Sequence, residues 1–274
     1  MESKIASALK LKFNPVATIW TDERPEKALQ FKKGKWSCVM FMFAGAARGK
    51  TAVFDRETFG CFGGGVGLGF GNQYLTTPGG IECFYYFLST GNAQWEQGKE
   101  IGENIKAFVS EEIFDEFMCG ERYIKSPELV KKFVEALPIV DIPGKYVVFK
   151  PLKDVDPDKE EPVVITFLAN PDQLSALGIL ANYTTESFNN VIMPFAAGCQ
   201  SIGILSYQEA RSENPRAVVG LTDISARKNI RKQLGKDTLS FSVSLKMFQE
   251  MEENVEGSFL ERPTWKSIME EGGK

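Results

Sequence analysis

The chain has 274 residues, 43% of them hydrophobic and 25% charged, with a formal net charge of −4, the make-up of a soluble globular protein long enough for one large domain or two ordinary ones. A net-negative chain with interleaved Lys and Glu argues against a nucleic-acid surface, which shows a basic patch. There is no histidine, which excludes Ser-His-Asp and Cys-His catalysis, imidazole proton shuttles and His-ligated zinc or haem.

The N-terminal stretch MESKIASALKLKF carries Lys4, Lys10 and Lys12 and has neither the uninterrupted apolar core nor the cleavage site of a signal peptide. No apolar run reaches bilayer length, so a cytoplasmic protein without membrane contact is expected. The five cysteines, Cys38, Cys61, Cys83, Cys119 and Cys199, are an odd number and make a disulfide framework improbable in a reducing compartment. If a metal binds, thiolates are the ligands at hand, and they select zinc or iron–sulfur clusters.

Along the chain, NPVATIWTDERPEKAL (14–29) reads as a β-branched strand, a polar turn and a helix start. WSCVMFMFAGAARGKTAVF (36–54) follows as Cys, an apolar helix, Ala47-Arg48, a turn and a short strand. Thr58-Phe59-Gly60-Cys61 then opens a glycine run to Gly71, and an aromatic-rich insertion occupies about 72–118. ERYIKSPELVKKFVEAL (121–137) suggests a strand and an amphipathic helix, and the Pro-containing join beyond it reads as strand pieces with a surface loop. EPVVITFLANPDQLSAL (161–177) repeats the first pattern, and AGCQSIGILSYQEARSENPRAVV (197–219), with Ala210-Arg211, repeats the second. Leu221-Thr222-Asp223 leads into ISARKNIRKQLG, and TLSFSVSLKMFQEMEEN (238–254) pairs weakly with 121–137. The expectation is an α/β (α+β) fold of two pseudo-repeated αβ halves, 1–140 and 141–274, packed as one compact domain.

In this matching Cys38 corresponds to Cys199, each near the start of an apolar helix, and Cys61 to Asp223. A thiol at a helix start feels the dipole and free N–H groups, which favour the thiolate. Convergence of Cys38, Cys61 and Cys199 between the halves would supply three ligands of an iron–sulfur cluster, with Cys83, Cys119 or no thiol as the fourth. Gly63, Gly64, Gly65 and Gly67 belong to a loop whose bare backbone brings amides close to a bulky ligand. That loop lacks the register of a dinucleotide fingerprint and the lysine of a P-loop; a looser anion nest, such as one for flavin, stays open. Arg48 and Arg211, at matched helix ends, either satisfy terminal carbonyls or clamp an anion. SARKNIRKQ (225–233) is the concentrated basic stretch, read as a solvated helix face or a contact for an acidic partner or phosphate. Asp55, Glu57, Asp223, Tyr74 and Lys50 are acid–base candidates, but no spacing selects a carboxylate pair, and no base is assigned.

AARGKTAVF after Cys38, GCFGGGVGLGF, KYVVFKPL, AGCQSIG and LTDISARKNI together resemble the bacterial and archaeal family named domain of unknown function 169, across most of the chain. The resemblance implies no particular reaction. The family is common in anaerobes and methanogens, which implies an oxygen-poor setting that suits an exposed cluster.

The resulting expectation is a redox-related, cofactor-binding protein of anaerobic metabolism with an iron–sulfur cluster on Cys38, Cys61 and Cys199. Its partner would be a small molecule or an electron-transfer protein. The alternative is a regulatory protein that binds a small anion, nucleotide or flavin and keeps its cysteines as core; a flavin- or corrinoid-linked enzyme is a third reading.

Overall fold

The computed structural model describes residues 1–271, which divide into two compact units. The first joins residues 1–70 to 140–274, of which 140–271 are described; the second is 71–139. The first unit begins with α1 (Lys4–Ala8), β1 (Val16–Thr21), α2 (Val39–Ala47), β2 (Ala52–Phe54) and α3 (Phe62–Leu68). The second unit is helical: α4 (Ile81–Leu88), α5 (Glu96–Ile105), α6 (Glu111–Cys119) and α7 (Pro127–Ala136). Buried Asn92 ties α4 to α6 there, its side-chain amide donating to the Cys83 carbonyl at 3.1 Å and the Phe117 carbonyl at 3.0 Å.

The first unit resumes with β3 (Tyr146–Pro151), β4 (Val164–Ala169), α8 (Pro171–Leu180), β5 (Val191–Ile192), α9 (Gly198–Ile202) and α10 (Ile204–Ala210). It continues through β6 (Ala217–Gly220), α11 (Ile224–Leu234), β7 (Leu239–Ser244), α12 (Leu245–Glu253) and α13 (Pro263–Glu271). Local chemistry sets several starts: Asn170 and Gln173 form a capping box with Pro171 in the first turn of α8, and the Ser244 side chain caps α12. The fold is mixed α/β around a seven-stranded sheet of order β2-β3-β1-β4-β7-β6-β5. Among the strands of the described residues, β5 and β6 form the parallel pair. β1 and β4 pair antiparallel at the centre, with Val16 opposite Thr166. Outward from this pair the order is β3 then β2 on one side, and β7 then β6 on the other.

The two sheet faces differ in chemistry. On one, Ala17, Ile19, Ile165, Phe167, Phe241 and Val243 form an apolar core with residues of α1, α8 and α12 and with Trp265 of α13. Burial of this kind, at about 25 cal/mol per Å² of apolar surface, is the main stabilising contribution. The other face carries buried Thr18, Thr166, Ser240 and Ser242, with the Thr166 and Ser242 hydroxyls 2.9 Å apart. Helix α2 lies against it through Phe43, whose ring meets Phe149 edge-on at 5.5 Å. Helix α9 lies so close that a Cβ on Gly220 would strike Ser201 Oγ at 2.0 Å. Small side chains on this face let helices descend onto the sheet.

Three local expectations differ from the structure. Residues 26–29 form no helix; the chain turns at Lys27 (φ 56°), and Leu29 bridges Ala52. Segment 121–137 contains α7 but no strand, and it is β3 that holds the place beside β1 that β7 holds beside β4. The glycine run is a helix, α3, closed by Gly69 in the left-handed region (φ 89°). Glycine costs a helix about 1 kcal/mol per residue relative to alanine, so contacts must support this one. A Cβ on Gly67 would lie 2.7 Å from the Cys199 carbonyl carbon and 2.9 Å from the Gln200 nitrogen, and one on Gly203 would lie 1.8 Å from the Gly67 oxygen. The α3 backbone therefore rests directly on the start and end of α9.

Gly203→Ala is expected to lower unfolding free energy by about 3 kcal/mol, the upper range for overpacking, in urea denaturation. A loss below about 0.5 kcal/mol, typical of surface changes, would contradict this backbone contact.

Candidate functional site

Cys38 is the N-cap of α2, with extended backbone (φ −79°, ψ 127°), and is half-buried. Burial pushes its thiol pKa up; the Met40 and Phe41 amides and the Asn229 side chain pull the other way, and the Asp223 charge adds to the rise. Cys61 is the N-cap of α3, and its Sγ accepts the Gly64 N–H at 3.2 Å. Gly64 cannot carry a side chain, since a Cβ would meet Val39 Cγ2 at 2.5 Å and the Phe59 oxygen at 2.8 Å. A glycine helix thus lets Cys61 sit beside the first turn of α2.

Cys199 is the second residue of α9, 7% exposed, and its Sγ donates to the Gly63 carbonyl at 3.3 Å. Its thiol is raised well above the ordinary range, first by burial, then by Cys61, Cys38 and Asp223. Contacts of Cys199 with Gly63, of Gly64 with Val39 and of Gly198 with Asp223 bring four helix starts into one neighbourhood. Asp223, the N-cap of α11, joins two of these starts: Oδ1 accepts the Ala226 N–H at 2.6 Å and Oδ2 accepts the Gly198 N–H. Burial raises the Asp223 carboxyl pKa against these amides and Arg227. The turn into this cap holds buried Leu221 at φ 62°, a strained conformation for a branched residue.

Chemically, this is a set of soft donors at the positive ends of helices, one of them buried, with groups that oppose one another's ionisation. Helix starts favour thiolate, while burial and like charges oppose it; a bound cation removes the second effect. Among the described residues no group of three or more Cys, Asp or Glu side chains is placed to hold a single metal ion. Cys61 and Cys199 instead engage the α3 backbone at Gly64 and Gly63.

Of the other expected site residues, the α3 glycines adjoin the thiols and the rest lie elsewhere. Within α3, the Gly65 N–H is spent on the Cys61 carbonyl and the Gly64 N–H on its sulfur, while Gly67 serves contact with α9. Arg48 and Arg211 are exposed and follow the last residues of α2 and α10. Nine residues of α2 separate Arg48 from Cys38, about 15 Å at the helical rise, so Arg48 does not join the thiols. The Arg211 guanidinium lies over the Trp20 ring at 5.6 Å. Asp55 holds Thr58 and Gln30, Glu57 pairs with Lys33, and Lys50 is exposed. Tyr74, Cys83 and Cys119 belong to the second unit. Burial pushes the Cys83 thiol up to about 11, and exposed Cys119 donates to Asp115 at 3.5 Å. A groove of about 1340 Å³ lined by Trp20, Arg24, Lys150 and Glu160, among others, contains none of the cysteines.

Sequence reasoning placed Asp223 only among acid–base candidates, and its link to Gly198 is what the structure adds. The sole sequence signal for it was its match to Cys61. Asn229, beside Cys38, left no signal, because a helical Asn six residues beyond a cap is ordinary on a polar face.

The chain matches the DUF169 family (Uncharacterised ArCR, COG2043) over residues 4–254 and belongs to it. No curated protein and no solved structure matches the chain. No helix among the described residues is long and apolar enough to cross a membrane.

The raised Cys199 thiol makes stability depend on alkaline pH. Above the ordinary thiol value of about 8.5 the unfolded chain releases a proton that folded Cys199 keeps. The stabilisation is full below that value and is lost as pH rises, at up to about 1.4 kcal/mol per pH unit for one thiol. Urea unfolding of metal-free protein from pH 7 to 10 should show this fall, and Cys199→Ala should lessen it. An unchanged slope in the variant would contradict the burial of this thiol.

Proposed function

We propose that the protein holds an iron–sulfur cluster through Cys38, Cys61 and Cys199 and serves a redox role in a reducing compartment. What supports this reading is that Cys38, Cys61 and Cys199 stand at the starts of three helices whose backbones touch, Gly64 against Val39 and Gly67 against Cys199. A single zinc ion would need its sulfur ligands within roughly 3.8 Å of one another, from tetrahedral geometry with Zn–S near 2.3 Å. The absence of such a group among the described residues weighs against one ion; several metals share wider-spaced thiolates. Bound there, a cluster supplies one-electron transfer.

The chain's own part is to position and to tune. Ligation would require Cys199 to give up its proton and with it the hydrogen bond to the Gly63 carbonyl, while the Cys61 sulfur would keep accepting the Gly64 N–H. The Met40 and Phe41 amides stabilise charge on the Cys38 sulfur. Asp223 pins α9 to α11 and so fixes where Cys199 points. The half-exposure of Cys38 and Cys61 leaves an edge of the site open, which favours electron exchange and oxygen lability together. The alternative reading, an anion or flavin site, is weakened by the position of Arg48 at the far end of α2 from Cys38.

Protein purified and reconstituted without oxygen should be brown and contain iron and acid-labile sulfide. Serine in place of Cys38, Cys61 or Cys199 should remove most of both, while Cys119→Ser keeps them, with circular dichroism confirming the fold. A colourless preparation without iron or sulfide would overturn the proposal. A flavin or corrinoid spectrum would favour the alternative.

A further inference from the structure

The central strand β1 is paired unequally on its two sides. It pairs with β3 over its whole length, Val16 to Thr21, but with β4 only from Val16 to Thr18. Continuing the register that sets Val16 opposite Thr166 and Thr18 opposite Val164 puts Pro162 opposite Trp20. A proline has no N–H to give a ladder. The pairing ends there, with Val163 donating to the Thr18 carbonyl at 2.8 Å, and residues 155–163 form no strand.

Backbone groups turn to alternate sides along a strand. Thr18 directs its carbonyl to the β4 side, and Thr21 lies toward the β3 side, where a Cβ on Gly144 would be 3.0 Å from the Thr21 nitrogen and 3.2 Å from its oxygen. Trp20, two residues beyond Thr18, therefore presents its N–H and C=O on the β4 side. No backbone partner takes them up there among the described residues.

The groove of about 1340 Å³ lies at this edge, within the first unit. Trp20 and Ser244 of its lining continue the hydroxyl-bearing face of Thr18 and Ser242, and Ile19 and Val148 belong to the apolar face. Pro162 and Val163 also line it. Space that crosses the plane of a sheet beside an unpaired edge is where a further strand fits. Its volume exceeds the roughly 300–1,000 Å³ of small-molecule sites. Ten charged residues line the groove, six of them acidic. Lys150 and Lys159 are already paired with Glu160 and Asp156, which leaves four carboxylates, Glu23 and Glu161 among them, against Arg24 and Lys246.

We infer that this groove binds an extended, basic peptide segment of a partner protein, which adds beside Trp20 as a short strand. One residue of the peptide exchanges both backbone hydrogen bonds with Trp20, and successive side chains fall alternately to the Trp20 and Ile19 sides. Its Lys or Arg side chains meet the carboxylates of the rim. Main-chain pairing selects an extended polypeptide over a compact small molecule, and the excess of carboxylates selects a basic one. The site contains no cysteine, so it stands or falls independently of the thiol reading.

The test is fluorescence anisotropy of the full-length protein with a labelled hexapeptide of alternating Lys and Val, its Glu–Val counterpart, and Lys–Val peptides N-methylated on every Lys or on every Val. The Lys–Val peptide is expected to bind about 10-fold or more tightly than the Glu–Val one. One of the two N-methylated peptides should lose about 10-fold or more, because its pairing with Trp20 is blocked. Glu23→Lys combined with Glu161→Lys, both at exposed positions, should weaken binding by about 10-fold, with circular dichroism confirming the fold. Hydrogen exchange of the backbone at residues 19–22 should slow when the peptide is added. No binding of the Lys–Val peptide, equal binding of both N-methylated forms and the unmodified peptide, or equal binding after charge reversal would overturn the proposal. Self-association of the protein that the charge reversal abolishes would assign the groove to a second copy of the chain and overturn it equally.

Discussion

Helix α3 lies backbone against backbone on α9, and the rest of the thiol neighbourhood depends on that contact. Gly67 presses on the peptide between Cys199 and Gln200, and Gly203 on the Gly67 carbonyl. Neither position has room for a methyl group. The closeness puts the Gly63 carbonyl over the Cys199 sulfur and leaves Cys61 at the start of α3 within electrostatic reach of it. Helix α9 can take this position because the sheet beneath it carries serine and glycine, with Ser201 seated over Gly220. A larger residue anywhere in this stack would push the cysteines apart.

Electrostatics then gives the neighbourhood its chemical character. Four helix starts direct N–H groups toward it, and one carboxylate, Asp223, takes two of them. Burial and mutual repulsion keep Cys199 protonated in the metal-free chain. The Cys38 and Cys199 thiols are thereby held toward the protonated form.

Much of this was legible in the sequence, and the gaps have physical causes. The β-branched runs at 16–21 and 164–169 announced the central strands, and the apolar run after Cys38 announced α2. The sequence matching paired Cys38 with Cys199 and Cys61 with Asp223, and all four stand as N-cap or first-turn residues of helices. The glycine run was misread as a loop because glycine disfavours helix locally, and only the α9 backbone, distant in sequence, makes a helix of it. Helix α7 was expected to follow a strand, yet the chain at 121–126 forms none. The anion-clamp reading of Arg48 failed to join the thiols because a helix start and its end lie a full helix length apart. The Gly198–Asp223 bond was invisible because a long-range amide contact leaves no periodic trace.

The central claim is that Cys38, Cys61 and Cys199 form one site able to share a metal cluster. The most direct measurement is an anomalous difference map at the iron edge, from crystals of the protein loaded and grown without oxygen. The account predicts one compact iron peak bounded by the sulfurs of Cys38, Cys61 and Cys199, near Asp223. Iron bound at Cys83 or Cys119 instead, or three sulfurs facing no common density, would contradict it.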